Sequence, residues 1–244
     1  PPDPEGVAIL NYDDPWVRDM AKQTSASIFF YGLSPEADLW ADNVEGLGLE
    51  GIRMDLHLRN EVLTLRVPLI GRHSVHTALR AAAIGLVEGL TWQEIVAGLR
   101  SERTQLRLVT VRGQNGALIL DDTYNASPES TLAALNLLDE LEGHKIAVLG
   151  DMLELGPYEE KGHEMVGFRA ADVVDELVTV GTLGRLIGKA ARRQGLSRAA
   201  ITEVETSEAA IAVLQGRLKA DDVVLVKGSR GMHMDLIVAA LEER

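Results

Sequence analysis

The chain has 244 residues, 46% apolar and 25% charged, enough to bury a sizeable core in one or two domains. Acids outnumber bases 37 to 24, for a formal charge of −13, with only 3 Trp, 4 Tyr and 3 Phe, which excludes a phosphate-neutralising or base-stacking nucleic-acid surface. The lack of cysteine removes disulfides, thiolate nucleophiles and Cys-ligated zinc and points to a reducing, cytoplasmic setting; no signal peptide opens the chain, and no apolar run reaches the roughly 18 residues of a membrane span.

The first strand is expected at Val7–Leu10, running into Asn11-Tyr12-Asp13-Asp14-Pro15, whose Asp and Pro suffice for a turn and whose Asn11 could touch a nucleotide. Gly46-Leu47-Gly48-Leu49-Glu50-Gly51 has the spacing of a dinucleotide fingerprint, but strands rather than a helix follow it, so it reads as a turn. Ile52–Arg59 and Val62–Val67 alternate as two strands, with Asn60-Glu61 as the tight hairpin. Gly71-Arg72-His73-Ser74-Val75-His76-Thr77 then opens an Ala- and Leu-rich helix reaching Val87, whose first N–H groups suit an anion or nucleotide. Its two histidines lack a third ligand nearby in sequence and read as capping and packing groups rather than a metal site. Thr91 and Glu94 form a capping box for the next helix.

Near residue 112 the pattern changes to regular alternation of strand and helix. Strands are expected at Ala117–Leu120, Ile146–Leu149, Leu177–Val180 and Val223–Val226, with a weaker one at Ala200–Val204; helices are expected at 127–141, 159–171, 183–194, 207–217 and 232–242. This rhythm predicts an α/β protein with a Rossmann-like, doubly wound, mostly parallel sheet in residues 113–244, preceded by a mixed α/β part in residues 1–112. Gly188-Lys189 is no Walker loop, because Leu183 stands at the first glycine position and Ala190 has no hydroxyl for magnesium; the chain contains no P-loop.

Parallel sheets gather ligands at the carboxyl ends of their strands. There the sequence places Asp121-Asp122-Thr123-Tyr124-Asn125-Ala126-Ser127-Pro128, Gly150-Asp151-Met152-Leu153-Glu154-Leu155-Gly156 and Lys227-Gly228-Ser229-Arg230-Gly231. Carboxylates at such ends can hold ribose hydroxyls, an ammonium or a magnesium shell, while Lys227 and Arg230 can clamp a phosphate or carboxylate. Ser127 reads as a helix N-cap, and His163 as a structural or solvent-facing residue. A phosphate-binding or signalling module of the response-regulator kind would share the acidic pair and the lysine. It would also need a phosphoacceptor Asp after the third strand, where Gly181-Thr182 stands.

Five blocks carry a resemblance to the Mur ligases, and within them to the MurF type: Asn11–Asp14, Gly71–His73, Asp121–Pro128, Leu149–Gly156 with His163, and Lys227–Arg230. The resemblance spans essentially the whole chain. It implies an ATP- and magnesium-dependent amide ligase of peptidoglycan synthesis, which joins D-Ala-D-Ala to UDP-N-acetylmuramoyl-tripeptide through an acyl phosphate. Residues 1–112 would be the latter part of the central ATP-binding domain and 113–244 the C-terminal domain. The P-loop and most magnesium ligands would then lie upstream of Pro1, and the chain alone would be inactive. A related ligase, another Mur enzyme or one like folylpolyglutamate synthetase, is the neighbouring alternative.

By the same resemblance, Asn11, His73, Ser74, Thr77, Arg107 and Asp122 would contact the nucleotide. Hydroxyls stand at Ser74 and Thr77 where the family usually carries asparagines. Tyr124, Asn125 and Asp151 would meet the dipeptide or the closed interface; Lys227 and Arg230 would be catalytic, stabilising charge on the tetrahedral intermediate. The formal charge is −4 over residues 1–112 and −9 over 113–244, so anionic substrates cannot be drawn in by the net field. That puts weight on a few local cations, Arg107, Lys227 and Arg230.

Overall fold

The computed structural model of the protein describes residues 6–101 and 108–243. The chain divides into two compact units, Pro1–Gln105 and Leu106–Arg244.

Unit one is built on five strands in sequential order: β1 (Val7–Asn11), β2 (Ser27–Gly32), β3 (Leu39–Gly46), β4 (Ile52–Leu58) and β5 (Glu61–Val67). The first three run parallel, and β4 and β5 extend the sheet antiparallel. A short helix, α1 (Pro15–Asp19), follows β1; α2 (Val75–Val87) and α3 (Trp92–Leu99) follow the sheet. Alternation along β4 sends Ile52, Met54 and Leu56 inward, where they share a core with Leu65 and Val67 of β5 and with Val75, Ala78, Leu79, Ala82 and Ala83 of α2. The alanines keep the helix side chains short against the sheet. Thr91 caps α3 in the expected capping box with Glu94.

Two local expectations are corrected. The hairpin turn is Arg59-Asn60, with Arg59 at φ 54°, because Leu58 pairs with Glu61 and Ile52 with Val67. A turn at Asn60-Glu61 would set Ile52 opposite Leu69, beyond Pro68, which has no N–H to give the ladder. The second difference lies before α2, where a 3-10 turn over Arg72–Ser74 precedes the regular helix.

Unit two holds six strands: β6 (Val109–Arg112), β7 (Leu118–Asp122), β8 (His144–Gly150), β9 (Glu176–Val180), β10 (Ile201–Val204) and β11 (Asp222–Lys227). Their order is β10-β9-β8-β11-β7-β6, parallel throughout except for the antiparallel edge strand β6. Helices α4 (Pro128–Glu140), α5 (Glu159–Val173) and α6 (Gly184–Gln194) cover one face, and α7 (Ser207–Leu214) and α8 (Asp235–Leu241) cover the other. The sheet is doubly wound as expected.

Every residue of β11 is buried, which is why that strand reads as a continuous apolar run rather than an alternating one. Ile146, Val148, Val224 and Val226 pack with Ala210, Leu214, Ile237 and Leu241 on the α7–α8 side; their neighbours Ala147, Leu149 and Leu225 point to the other. Strand β6 carries no strong signal in the sequence. It precedes residue 113, yet it belongs to this second sheet.

Candidate functional site

In unit two, β7 and β11 end side by side, with Asp122 in register with Lys227. The Lys227 ammonium lies 2.6 Å from Asp122 Oδ2 and donates to the Asn125 carbonyl at 2.8 Å, in a position only 2% exposed. Burying an ammonium is costly unless it is paired and hydrogen-bonded. Here it ties the end of β11 to the turn that follows β7. That turn closes on the N-cap Ser127, which accepts from Ser130 N–H at 3.2 Å while Ser130 Oγ accepts from Ser127 N–H at 3.0 Å. Pro128 begins α4 where no N–H is needed. Asn125 is exposed, and its Oδ1 accepts from the Ala126 N–H. Tyr124 is exposed too, with the Arg230 guanidinium 5.9 Å from its ring centroid.

The loop after β8 is anchored at three consecutive residues. The Asp151 carboxylate accepts from Gly184 N–H at 2.7 Å at the start of α6. Burial pushes this carboxyl above its ordinary range, an effect opposed by the amides of Gly184, Leu183 and Thr182. Met152 N–H donates to His163 Nε2 at 2.9 Å, and Leu153 N–H donates to Ser229 Oγ at 2.8 Å. Ser229 N–H in turn donates to the Asp151 carbonyl at 3.0 Å. Directly after these anchors, Glu154 takes a left-handed φ of 64°. For a residue with a side chain that costs roughly 1–2 kcal/mol.

Unit one assembles its own cluster at the carboxyl end of β1. Asn11 Oδ1 accepts from Asp13 N–H at 3.1 Å. Asp13 Oδ2 accepts from Leu33 N–H at 2.8 Å and lies 2.7 Å from His76 Nε2. Gly32 makes room for this carboxylate, since a Cβ there would fall 2.8 Å from Asp13 Oδ1. Asp13 thereby links the turn after β1, the end of β2 and the first turn of α2. His73 and Thr77 are exposed beside that turn, and Ser74 Oγ donates to the Ile70 carbonyl at 2.7 Å, leaving the hydroxyl its acceptor lone pairs.

The site residues expected from the sequence thus fall into two groups. Asp122, Tyr124, Asn125, Asp151, Lys227 and Arg230 gather at the carboxyl edge of unit two. Asn11, His73, Ser74 and Thr77 gather around the start of α2 in unit one. Arg107 lies outside the described residues. Among the described residues no group of three or more His, Asp or Glu side chains is placed to hold a metal ion.

Two contacts have no signal in the sequence: Ser229 as acceptor for Leu153, and the Asp13–His76 pair. His163, read as structural or solvent-facing, is structural: it is buried, and its Nδ1 lies 2.7 Å from the Glu159 carbonyl four residues back. The decoys behave as read: Gly48–Glu50 is a 3-10 turn leading into β4, and Gly184–Gln194 is helix α6.

A doubly wound sheet with polar groups gathered at its carboxyl edge defines an α/β ligand-binding architecture. Residues 2–85 match the family model described as Mur ligase middle domain, and residues 106–230 match that described as Mur ligase, glutamate ligase domain. The UDP-N-acetylmuramoyl-tripeptide--D-alanyl-D-alanine ligase of Mycobacterium tuberculosis (strain ATCC 25618 / H37Rv) is 34% identical over 97% of this chain and 51% of its own length. A crystal structure of MurF from Acinetobacter baumannii superposes with a TM-score of 0.82 at 28% identity, over 99% of this chain and 53% of that one. The MurF ligase of Thermotoga maritima, solved in complex with ADP, shares the fold at a TM-score of 0.76 and 24% identity, over 98% of this chain and 53% of that one. The chain belongs to the Mur ligase family. It spans about half the length of the curated relatives it matches.

Proposed function

We propose that the chain supplies two parts of an ATP-dependent amide ligase that joins D-Ala-D-Ala to UDP-N-acetylmuramoyl-tripeptide in cytoplasmic peptidoglycan synthesis. In this reading residues 1–105 belong to the central domain and 106–244 form the C-terminal domain, a boundary a few residues before the 112 expected from the sequence, since β6 pairs with β7. The tripeptide carboxylate takes the γ-phosphoryl group of ATP, the dipeptide amine attacks the acyl carbon, and phosphate leaves as the amide forms. The likeness to the D-alanyl-D-alanine ligase of M. tuberculosis along 97% of the chain carries this reading. The ADP complex of the T. maritima ligase supports a nucleotide among the substrates.

The residues at hand suit different parts of that task. Asn11, His73, Ser74 and Thr77 offer amide, imidazole and hydroxyl groups to the nucleotide at the start of α2. Ser74 serves as an acceptor because its proton is already directed to Ile70. Lys227 holds Asp122 and the Asn125 carbonyl, so its part is to fix the nucleotide-facing acid and the turn beside it. Arg230, exposed over Tyr124, is a cation able to reach a carboxylate or a developing oxyanion. Magnesium would accompany ATP and offset charge on its phosphates; the chain's own contribution is cationic and hydrogen-bonding.

The test is dipeptide-dependent phosphate release by the full-length ligase. Arg230→Ala should lower it by about 10²-fold, the scale of one lost electrostatic contact in a transition state. The isolated chain should release no phosphate. Unchanged turnover in the Arg230 variant, or substrate-dependent turnover by the chain alone, refutes the assignment.

A further inference from the structure

The loop after β8 owes its shape to a set of hydrogen bonds of which one is chemically unusual. His163 is fully buried in α5, and both ring nitrogens are engaged. Nε2 sits 2.9 Å from the Met152 nitrogen, which can only donate; Nδ1 sits 2.7 Å from the Glu159 carbonyl, which can only accept. A single arrangement satisfies both contacts: neutral imidazole with its proton on Nδ1. The i−4 carbonyl of its own helix thus selects the tautomer, and the tautomer supplies the acceptor that Met152 needs.

Met152 is held twice. Its side chain is buried, with Thr131 Oγ1 3.6 Å from Sδ, while its amide meets His163. Asp151 and Leu153, on either side, are anchored to α6 and to Ser229. Glu154 follows at once in its left-handed conformation. The anchored segment therefore delivers a strained, exposed Glu154 and an exposed Leu153 to the carboxyl edge where Arg230 and Tyr124 stand. Strain of this kind persists only where surrounding contacts over-determine the backbone.

We propose that His163 is a positioning residue: as the Nδ1–H tautomer it holds the Met152 amide, and through it sets the Leu153–Glu154 segment against which the amine substrate docks. The substrate part rests on the ligase reading above; the tautomer and the loop contact do not.

Two variants separate positioning from packing. His163→Asn keeps a donor near the Glu159 carbonyl but is too short to reach Met152, whereas His163→Gln can extend its carbonyl oxygen to the Met152 amide. In the chain itself, long-range proton–nitrogen correlation should show protonated Nδ1 and bare Nε2 at neutral pH. Amide exchange at Met152 should quicken about tenfold in His163→Asn, the scale of one lost hydrogen bond, and return towards the parent rate in His163→Gln. In the full-length ligase His163→Asn should raise the KM for D-Ala-D-Ala about tenfold, with kcat and the KM for ATP within about twofold, and His163→Gln should restore it. A proton on Nε2, or equal effects of the two variants on exchange and dipeptide KM, overturns the proposal. Absence of any dipeptide-dependent turnover in the parent enzyme would defeat the ligase reading instead, with the imidazole and exchange measurements still deciding the role of His163.

Discussion

Replacing Lys227 with methionine removes an ammonium while keeping an unbranched side chain in a position 2% exposed. Asp122 Oδ2, at 2.6 Å, and the Asn125 carbonyl, at 2.8 Å, both lose their donor. Removing one partner of a buried ion pair costs about 3–5 kcal/mol, because the other charge stays behind uncompensated. The Asp122 side chain is 12% exposed, so water recovers part of the contact, and the lower end of the range, about 3 kcal/mol, is expected. For a chain of this size that is about 6–12 °C in Tm. All three tryptophans, Trp16, Trp40 and Trp92, lie in unit one, so their fluorescence does not follow this change. Urea unfolding should be read by far-UV circular dichroism, or by exchange of the β11 amides. The double variant Asp122→Asn/Lys227→Met removes both charges and should recover most of the loss. A cost below about 1 kcal/mol for Lys227→Met, or a double variant whose cost is the sum of the singles, would show that the two groups do not form the desolvated pair described.

Two further outcomes follow from the same edge of the sheet. The Asp151 carboxyl is raised by burial, so the folded state binds its proton more tightly than the unfolded chain does. Its stabilising contribution is complete below the ordinary carboxyl pKa and is lost as pH rises through the raised value. Asp151→Asn, which keeps an acceptor for Gly184, should flatten the decline in stability over that window; an unchanged pH profile in urea titrations would contradict the assignment. Ser127→Ala removes the N-cap acceptor of α4 and should cost about 0.5–2 kcal/mol. The same unfolding assay checks it, and a neutral effect would mean that the cap contributes nothing to unit two.

Much of unit two could be read from the sequence because its strands bury both faces and its helices begin at recognisable caps. The apolar runs of β8, β9 and β11 and the Ser127-Pro128 start of α4 are strong local signals. Strand β6 was missed because its four residues are mostly exposed and it is held as an edge by pairing with β7. The gathering of Asp122, Asp151 and Lys227 at strand ends was legible too. Their partners were not: Asp122 meets Lys227 only because β11 lies between β7 and β8, and strand order is a non-local fact. That His163 is buried rather than solvent-facing is hidden for another reason. The packed face of α5 includes Gly162 and Gly167, which lie close to Pro128 and to the Ile187 carbonyl, so the helix shows little apolar stripe to mark what is inside. In unit one the hairpin turn falls one residue before Asn60-Glu61 because Pro68 limits where β5 can end, a constraint outside the turn itself.

The place of β11 has a consequence for how the chain is made. It is synthesised well after β7 and β8, yet it supplies the hydrogen bonds between them, and its Lys227 reaches back 102 positions to Asn125. Until it emerges, β7 and β8 have no neighbour on their facing sides, and two apolar edges remain open to pairing with other chains. Sheet closure in unit two therefore waits on long-range contacts, which slows folding. A stop codon or ribosomal stall shortly before Asp222 would cost more than α8: it would leave the sheet split through its centre and prone to aggregate.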